Sequence, residues 1–343
     1  MTGTTLGASG PPAGPGALLS RDQVRFLVGT AARAPSVHNT QPWRFHAGPA
    51  GLELHADRSR QLAAIDPAGR ELFISCGAAL FGLRLAARQL GYLPVVELLP
   101  DTRQPGLLAR VRLGREVPLG AGEWAMLAAV PHRHTHRGPF SPEPIPDGLL
   151  PRLQHDAIAE GATLVLLDEA ARARMRRLAR VAARWQYRDA AVREELTRWT
   201  RPEGSTARDG VPAHAYSARP TGPDAPADPA AGKLAERDFD LGRGAGRLET
   251  GGAPPVSSAV LITTTDTPTD WLRAGQALNR MLIHAAGVWV FAALNSQPME
   301  SVPVRSLVRA RLLLPGAPQM LLEFGRAHTA SATARRPVDE LID

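Results

Sequence analysis

A short polar segment near the N-terminus, residues 34–45 (APSVHNTQPWRF), places a hydroxyl, an imidazole and two carboxamides within six positions. Its polar side chains belong to Ser36, His38, Asn39 and Gln41, and Pro35 precedes them. These groups donate and accept hydrogen bonds, so this polar turn suits a ligand that carries both kinds of atom. Taken alone, it is also typical of a loop that ends a helix, with Asn and Ser bonded to nearby backbone and Trp43 in the core.

A second segment, RHTHRGPF, has Arg133, Thr135 and Arg137 at every second position. Alternate residues of an extended segment point to one side, so two guanidinium groups and a hydroxyl could converge on one dianion. The histidines between them could instead ligate a metal, but they lack a nearby carboxylate or cysteine partner, which favours solvent-facing or phosphate-side positions. These histidines are His132, His134 and His136.

The sequence has an excess of basic residues, 40 Lys and Arg against 33 Asp and Glu, for a net charge of +7. Such an excess could serve nucleic acid, a membrane surface or a phosphorylated ligand. Lys233 is the only lysine, a pattern that genome composition can also produce. Arginines along one helical segment are expected to form a solvated face, with nucleic-acid binding as the alternative. They are Arg172, Arg174, Arg176, Arg177, Arg180 and Arg184.

The single cysteine, Cys76, excludes an internal disulfide and any multi-cysteine metal site, and fits a reducing compartment. Its apolar helical setting predicts core packing, with a catalytic thiol as the alternative. No apolar run approaches the roughly 20 residues that span a bilayer, and the first twenty residues lack the layout of a signal peptide. We therefore expect a cytoplasmic protein without a membrane or nucleic-acid partner.

Hydrophobic periodicity and breaker residues predict alternating helices and strands. A capping box at Ser20 and Gln23 begins a helix that Pro35 ends, so the polar turn directly follows a helix. We then expect strands 43–45 and 52–56, a helix 71–90, strands 95–99 and 107–113, and a short helix 122–130. Further along we expect helices 147–159, 170–200, 271–294 and 304–313, and strands 163–167, 259–263 and 319–324.

Two helical segments, 76–91 and 274–289, are similar at a constant offset, and a strand-like segment follows each. They share Gly77 with Gly275, Ala79 with Ala277, Leu80 with Leu278, and Ala87 with Ala285. A helix this apolar needs a partner, and its own duplicate is the nearest candidate. We predict two α+β halves in tandem, residues 20–130 and 131–343.

The regions outside these periodic elements have a different composition. Residues 1–19 are rich in Gly, Pro and Thr and are predicted to be a disordered leader. Residues 201–255 are rich in Pro, Gly and Ala, which predicts a lid or a disordered insertion within the second half. In it, GRGAGR at 242–247 follows no strand and lacks the Lys-Ser/Thr of a phosphate loop, which favours a hinge.

Together these features resemble the nitroreductase family of FMN proteins, and most closely its Acg-like branch, over about residues 20–343. The polar turn matches the family pattern APS..N.QPW, which implies that its five named residues reach the flavin ring and ribityl chain. RHTHRGPF resembles an Arg-x-Ser-x-Arg segment before PIP and a helix, which implies that Arg133, Thr135 and Arg137 bind the flavin phosphate. Here threonine replaces serine and one extra residue precedes Phe140.

The C-terminal part carries the remaining resemblance. LEFGRAHTASATARRPVDELI resembles the family's last strand and basic tail, which implies that Arg335 and Arg336 bind the same phosphate. LNSQPMES occupies the position of the family loop whose backbone amide faces the flavin N5. That loop comprises Ser296, Gln297, Pro298 and Met299. The polar turn occurs only in the first half and the phosphate arginines only in the second, which implies one complete site per chain.

The resemblance implies an oxidoreductase with non-covalent FMN, in which NAD(P)H delivers hydride to the flavin N5 and a nitro-aromatic or quinone receives the electrons. No side-chain acid or base is named as essential. The fused chain would be a monomer that mimics the family dimer, or itself a homodimer. Two alternatives stay open: a protein that sequesters FMN under a lid with little turnover, and a basic nucleic-acid module.

Overall fold

The computed structural model describes residues 19–138, 140–216, 237–241, 256–328 and 333–343. The GRGAGR segment and all but one residue of the predicted leader lie outside these ranges. Within the described ranges, no helix combines the length and hydropathy that a membrane span requires.

The described residues form helices and strands in the mixed order expected of an α+β protein. The helices are α1 (Arg21–Ala31), α2 (Arg70–Gln89), α3 (Ala121–Ala129), α4 (Leu149–Ala159), α5 (Glu169–Arg188), α6 (Ala190–Trp199), α7 (Pro268–Ala286), α8 (Gln297–Glu300) and α9 (Val302–Arg311). The strands are β1 (Trp43–Gly48), β2 (Gly51–Ala56), β3 (Tyr92–Leu98), β4 (Leu107–Glu116), β5 (Thr163–Leu166), β6 (Thr200–Arg201), β7 (Val211–Pro212), β8 (Ser257–Thr263), β9 (Val290–Asn295) and β10 (Ala317–Arg326).

Two four-stranded antiparallel sheets confirm the predicted α+β class. The N-terminal sheet has the order β1-β2-β4-β3 and the C-terminal sheet has the order β5-β8-β10-β9. When the strands of each sheet are matched in chain order, the two orders are identical. This shared order is what two tandem halves require, and the duplication itself stays a prediction.

Helices α2 and α7 cross at the centre of the molecule, between the two sheets. Nearly every residue of α2 is buried, including Cys76, whose pKa burial raises, as expected of a core thiol. The crossing is close because glycines face backbone: a Cβ at Gly77 would collide with the Leu272 carbonyl, and one at Gly275 with the Ile74 carbonyl. The aligned glycines are therefore the contact points of the two helices.

Two predicted helices are wrong in extent, for identifiable reasons. The helix expected over 170–200 is divided into α5 and α6, since Asp189 has an extended backbone and its carboxylate caps the amides of Ala191 and Val192. The helix expected over 271–294 ends at Gly287, and β9 follows. Because β9 is almost wholly buried, its continuous apolar run shows no alternation that would separate it from a helix.

The described part of the predicted insertion, residues 201–216 and 237–241, packs on the N-terminal part of the chain. Tyr216 and Phe239 join a buried apolar cluster with Leu62 and Ile65. Asp209 accepts hydrogen bonds from the guanidinium groups of Arg60 and Arg201, which fixes the insertion to the segment before α2. This packing brings the insertion over the polar turn.

Candidate functional site

A cavity lies where the polar turn, α2, β9, α8 and the insertion meet. Its wall includes predicted site residues from both halves of the chain. Those residues are Pro35, Ser36, His38, Thr135, Arg137, Ser296 and Gln297. The structure therefore brings three separate sequence motifs to one place.

The polar turn has a strained backbone. His38, Asn39 and Gln41 have φ angles of 46°, 56° and 51°, in the left-handed region that non-glycine residues seldom adopt. Ser36 holds the turn in shape, since its hydroxyl accepts a hydrogen bond from the Gln41 amide at 3.0 Å. Strain of this kind concentrates at functional sites, where the surroundings enforce the conformation.

The two carboxamides of the turn point away from the cavity wall and join distant segments. The Asn39 Nδ2 donates to the carbonyls of Gly210 and Ala334, both at 3.1 Å. The Gln41 Nε2 donates to the Arg208 carbonyl at 2.7 Å, and its Oε1 accepts from the Arg336 amide at 2.8 Å. Both side chains thus connect the insertion to the C-terminal segment.

His38 differs from its neighbours because its imidazole lies in the cavity wall. Among the described residues neither ring nitrogen has a hydrogen-bond partner, although the side chain is buried. Burial lowers the pKa of His38 well below its usual value, and the nearby charges of Arg237 and Arg137 lower it further. The ring is therefore neutral at pH 7, with one donor and one acceptor to offer a ligand.

Four arginines lie close enough for their charges to act on one another and form an arginine corner, defined by Arg33, Arg133, Arg137 and Arg335. Residues 133–137 run beside β9, where the His136 amide donates to the Ala292 carbonyl at 2.9 Å. Arg137 lines the cavity, and the charges of Arg33, Arg137 and Arg335 all act on Arg133.

Arg133 is the most deeply buried member of the arginine corner. One of its terminal nitrogens donates to the Arg33 carbonyl at 2.7 Å, but its Nε and Nη1 lack partners among the described residues. Burial and the neighbouring arginines hold its pKa well below the usual range. Burial also lowers the pKa of Arg335, to about 10. In the described part of the chain no carboxylate forms an ion pair with Arg133 or Arg335.

The remaining predicted residues, Arg336, Pro298 and Met299, are not among those that line the cavity. The Arg336 guanidinium lies 3.9 Å from Asp57 and 3.6 Å from Glu340. Residues 296–299, predicted as a loop, span the start of α8, and the Met299 amide donates to the Ser296 carbonyl at 2.7 Å. The side chains of Pro298 and Met299 are buried in the core.

Three buried carboxylates that the sequence did not single out lie close to one another, and one of them reaches the cavity wall. They form a carboxylate corner, defined by Asp66, Glu71 and Glu300 with Arg70 and Arg237. The Arg237 guanidinium binds Glu300 at 2.6 Å, and Arg70 binds Glu71.

Burial raises the pKa of Asp66 to about 6 and that of Glu71 to about 7. Of the three carboxylates, Glu71 alone belongs to the cavity wall.

Other wall residues were also missed in the sequence. Asn295 has a buried Nδ2 that lacks a partner among the described residues, and Tyr216 and Phe239 reach the wall from the insertion. His134 and His136 are buried and stack on aromatic rings, with centroid separations of 4.1 and 4.4 Å. These histidines are therefore not solvent-facing, and His136 lies at the cavity beside Arg137.

Comparisons with known proteins give close relatives along nearly the whole chain. No protein-family model matches it. It is similar to "Putative NAD(P)H nitroreductase" of Mycobacterium tuberculosis H37Rv, 33% identical over 331 residues, which cover 94% of this chain and 91% of that protein. It is also similar to "Putative NAD(P)H nitroreductase acg" of the same strain, 27% identical over 337 residues, which cover 96% and 97%. Among solved structures it is similar to a nitroreductase with bound FMN from Desulfitobacterium hafniense DCB-2, with 12% identity, a TM-score of 0.38, and coverage of 64% of this chain and 97% of that one.

Proposed function

This chain belongs to the nitroreductase family, and we propose that it is an FMN-dependent oxidoreductase that takes hydride from NAD(P)H. The proposed acceptor is a nitro-aromatic compound or a quinone that enters the same cavity. Relatives named as NAD(P)H nitroreductases support the electron donor. We propose that the chain consists of two halves, 20–130 and 131–343, with one site per chain between them.

The buried guanidinium of Arg133 is the observation that carries the proposal. A buried charge with two unpaired nitrogens is costly unless a ligand supplies the missing partners. Arg137 and Arg335 add positive charge beside it, and Thr135 adds a hydroxyl at the cavity. A phosphate dianion matches this donor set because guanidinium groups bind its oxygens in pairs.

The rest of the cavity suits the remainder of FMN. Neutral His38 and Asn295 have hydrogen-bonding atoms without partners among the described residues, which matches the donors and acceptors of a flavin ring and ribityl chain. We assign the predicted residues accordingly. Arg133, Thr135, Arg137 and Arg335 hold the phosphate, and Pro35, Ser36, His38, Ser296 and Gln297 contact the rest of the cofactor. Asn39, Gln41 and Arg336 position these groups, while Pro298 and Met299 support α8.

When bound, FMN supplies the hydride chemistry, and the protein supplies binding, orientation and electrostatics. The strained turn places His38 and Ser36 in the wall with little freedom to move. The apolar part of the wall, with Ile74, Leu278 and Met320, excludes water from the face between the two halves.

The deciding experiment is anaerobic addition of NADPH or NADH to the FMN-loaded protein while the visible flavin band is followed. An oxidoreductase should bleach rapidly and recover its colour when a quinone is added. A flavin that bleaches only with dithionite would contradict turnover. A colourless protein that binds DNA in a strongly salt-dependent way would overturn the flavin proposal itself.

A second candidate, FMN sequestration with little turnover, is favoured by the position of the insertion. Tyr216, Arg237 and Phe239 form part of the cavity wall, and buried contacts hold them there. If they remain in place, an acceptor cannot reach the cofactor, whereas an opening insertion would only gate access.

The insertion can be tested separately from the cofactor. Asp209→Asn should weaken the clamp with Arg60 and Arg201, and Asp101→Asn, whose carboxylate pairs with a surface arginine, is the matched control. Under sequestration, reduction by NADPH should be absent in the native chain and emerge in the clamp variant. Equal, rapid reduction in both would exclude a closed insertion as the barrier.

A further inference from the structure

We propose that Glu71 is a catalytic acid which protonates the electron acceptor in the cavity, an inference that rests on the proposed oxidoreductase function. Glu71 is in the first turn of α2, and its side chain is 3% exposed. The next turn places Ile74 and Ser75 on the same wall. Among the described residues that line the cavity, Glu71 is the one with a carboxyl group, and α2 holds it there.

The surroundings of Glu71 place it close to residues 296–299, part of which we assign to the cofactor. Arg70 donates both to the Glu71 carboxylate and, at 3.1 Å, to the Met299 carbonyl of α8. Its other terminal nitrogen donates to the Gln319 carbonyl at 2.8 Å and side chain at 2.9 Å. Arg70 is thus held by β10 and α8, and one guanidinium group separates Glu71 from residues 296–299.

Charges from every neighbouring element set the protonation of Glu71. Burial, opposed by Arg70 and Arg237 and helped by the carboxylates of Glu300 and Asp66, raises its pKa to about 7. Near neutral pH the group is present in both forms, the condition under which a general acid works best. Asp66 also has a raised pKa, about 6, but is not in the cavity wall.

The proposed reaction needs a proton that the hydride does not bring. Reduction of a quinone to a quinol takes two electrons and two protons, while NAD(P)H provides a hydride, which is two electrons and one proton. Glu71 gives the second proton to the quinone oxygen that gains negative charge: its O–H bond breaks as the new O–H bond forms. The remaining carboxylate takes a proton from solvent, so the sum is NAD(P)H, H⁺ and quinone to NAD(P)⁺ and quinol.

The test compares the two half-reactions of Glu71→Gln in the FMN-loaded full chain by anaerobic rapid mixing. Reduction by NADPH should stay within about twofold of the native rate, and reoxidation by benzoquinone should slow on the order of 100-fold. In the native protein reoxidation should slow as the pH rises through about 7, and this pH dependence should be absent in Glu71→Gln.

The matched control is Asp66→Asn, which changes a buried carboxylate of the same corner outside the cavity wall. It should keep the native reoxidation rate at low pH and a fall as the pH rises, but the fall should come at a somewhat lower pH because the Asp66 carboxylate raises the pKa of Glu71. If Asp66→Asn loses the pH dependence, or Glu71→Gln reoxidises at the native rate, the assignment of Glu71 is wrong. If Glu71→Gln does not fold, native reoxidation that is constant from pH 6 to 9 would overturn the proposal as well.

Two further readouts separate this inference from the proposed function. Should NADPH fail to reduce the flavin, dithionite-reduced protein freed of excess reductant still permits the reoxidation comparison. In cofactor-free protein, infrared difference spectra between pH 6 and 8 should contain a protonated-carboxyl band that is clearly weaker in Glu71→Gln, where the Asp66 carboxyl still contributes to it. Absence of that band in the native protein would contradict the assignment of Glu71 as the acid.

Discussion

The carboxylate corner and the arginine corner, each of which reaches the cavity wall, differ in how their buried charges are compensated. In the carboxylate corner, Glu300 has Arg237 and Glu71 has Arg70, so the protein supplies both signs. In the arginine corner, Arg133 and Arg335 have no carboxylate partner in the described part of the chain, and burial lowers the pKa of both. The first corner contains arginine partners for two of its carboxylates, whereas no carboxylate of the described residues pairs with Arg133 or Arg335 in the second.

The difference shows where binding free energy is available. In a buried ion pair the two charges compensate each other. Removal of one member leaves the other charge uncompensated and destabilises the protein. A buried unpaired charge destabilises the cofactor-free protein and stabilises any complex that provides a counter-charge. Replacement of an arginine should therefore lower stability in the carboxylate corner and raise it in the arginine corner.

The largest expected effect is at the carboxylate corner. Arg237→Met removes the partner of Glu300, whose side chain is 1% exposed, and should lower the free energy of unfolding by about 3–5 kcal/mol. Chemical denaturation of the cofactor-free protein measures this. Arg112→Met, which breaks the exposed pair with Glu97, is the control and should cost at most about 1 kcal/mol. Similar losses in both variants would mean that burial of the pair is unimportant.

The second effect has the opposite sign. Arg133→Met replaces an unpaired buried charge with an apolar side chain, so the cofactor-free protein should gain about 2–3 kcal/mol of stability. Arg174→Met on the exposed face of α5 serves as control and should be nearly neutral. A loss of stability on removal of Arg133 would show that its charge is already compensated.

The third effect is pH dependent and arises from Glu71. Its pKa is about 7 in the folded protein against an ordinary value of 4.5, so the folded state holds a proton that the unfolded state releases. This contribution is complete below pH 4.5 and is lost as the pH rises through 7. The stability of the native protein relative to Glu71→Gln should therefore fall by about 2 kcal/mol between pH 5 and 7. A constant difference across this range would contradict the raised pKa.

The smallest effect is expected at the clamp of the insertion. The Asp209 side chain is 23% exposed and binds Arg60 and Arg201, so Asp209→Asn should lower global stability by about 1 kcal/mol or less. The same variant should raise hydrogen exchange at the amides of Gly210 and Val211 because the insertion is held less firmly. Unchanged exchange there would mean that apolar packing alone holds the insertion.

Sequence patterns located most of the fold because the decisive signals were local. The capping box of Ser20 and Gln23 forms as predicted, and the apolar stripe of α2 fixed its position within one residue at each end. The strand β9 was missed because burial on both sides removes the alternation that identifies a strand. The break at Asp189 was missed because a capping carboxylate resembles any charged residue of a solvated helix.

The site shows the same limit more sharply. Alternation singled out Thr135 and Arg137, which both line the cavity, but His136 between them lines it too and Arg133 does not. Glu71 was overlooked because an acid in the first turn of a helix is ordinarily explained by the helix dipole. Arg237 was overlooked because its role depends on Glu300, 63 residues away. Contacts between residues so far apart along the chain produce no recognisable spacing pattern in a single sequence.

The central claim, that the arginine corner binds the phosphate of FMN, is tested most directly by comparing FMN with riboflavin, which lacks that phosphate. Affinities of both for the native protein and for Arg133→Met can be measured by quenching of flavin fluorescence. We predict that FMN binds the native protein far more tightly than riboflavin, and that Arg133→Met weakens FMN by about 2–5 kcal/mol while leaving riboflavin nearly unchanged. Equal affinity of the native protein for the two flavins, or an FMN preference that Arg133→Met leaves undiminished, would contradict the account.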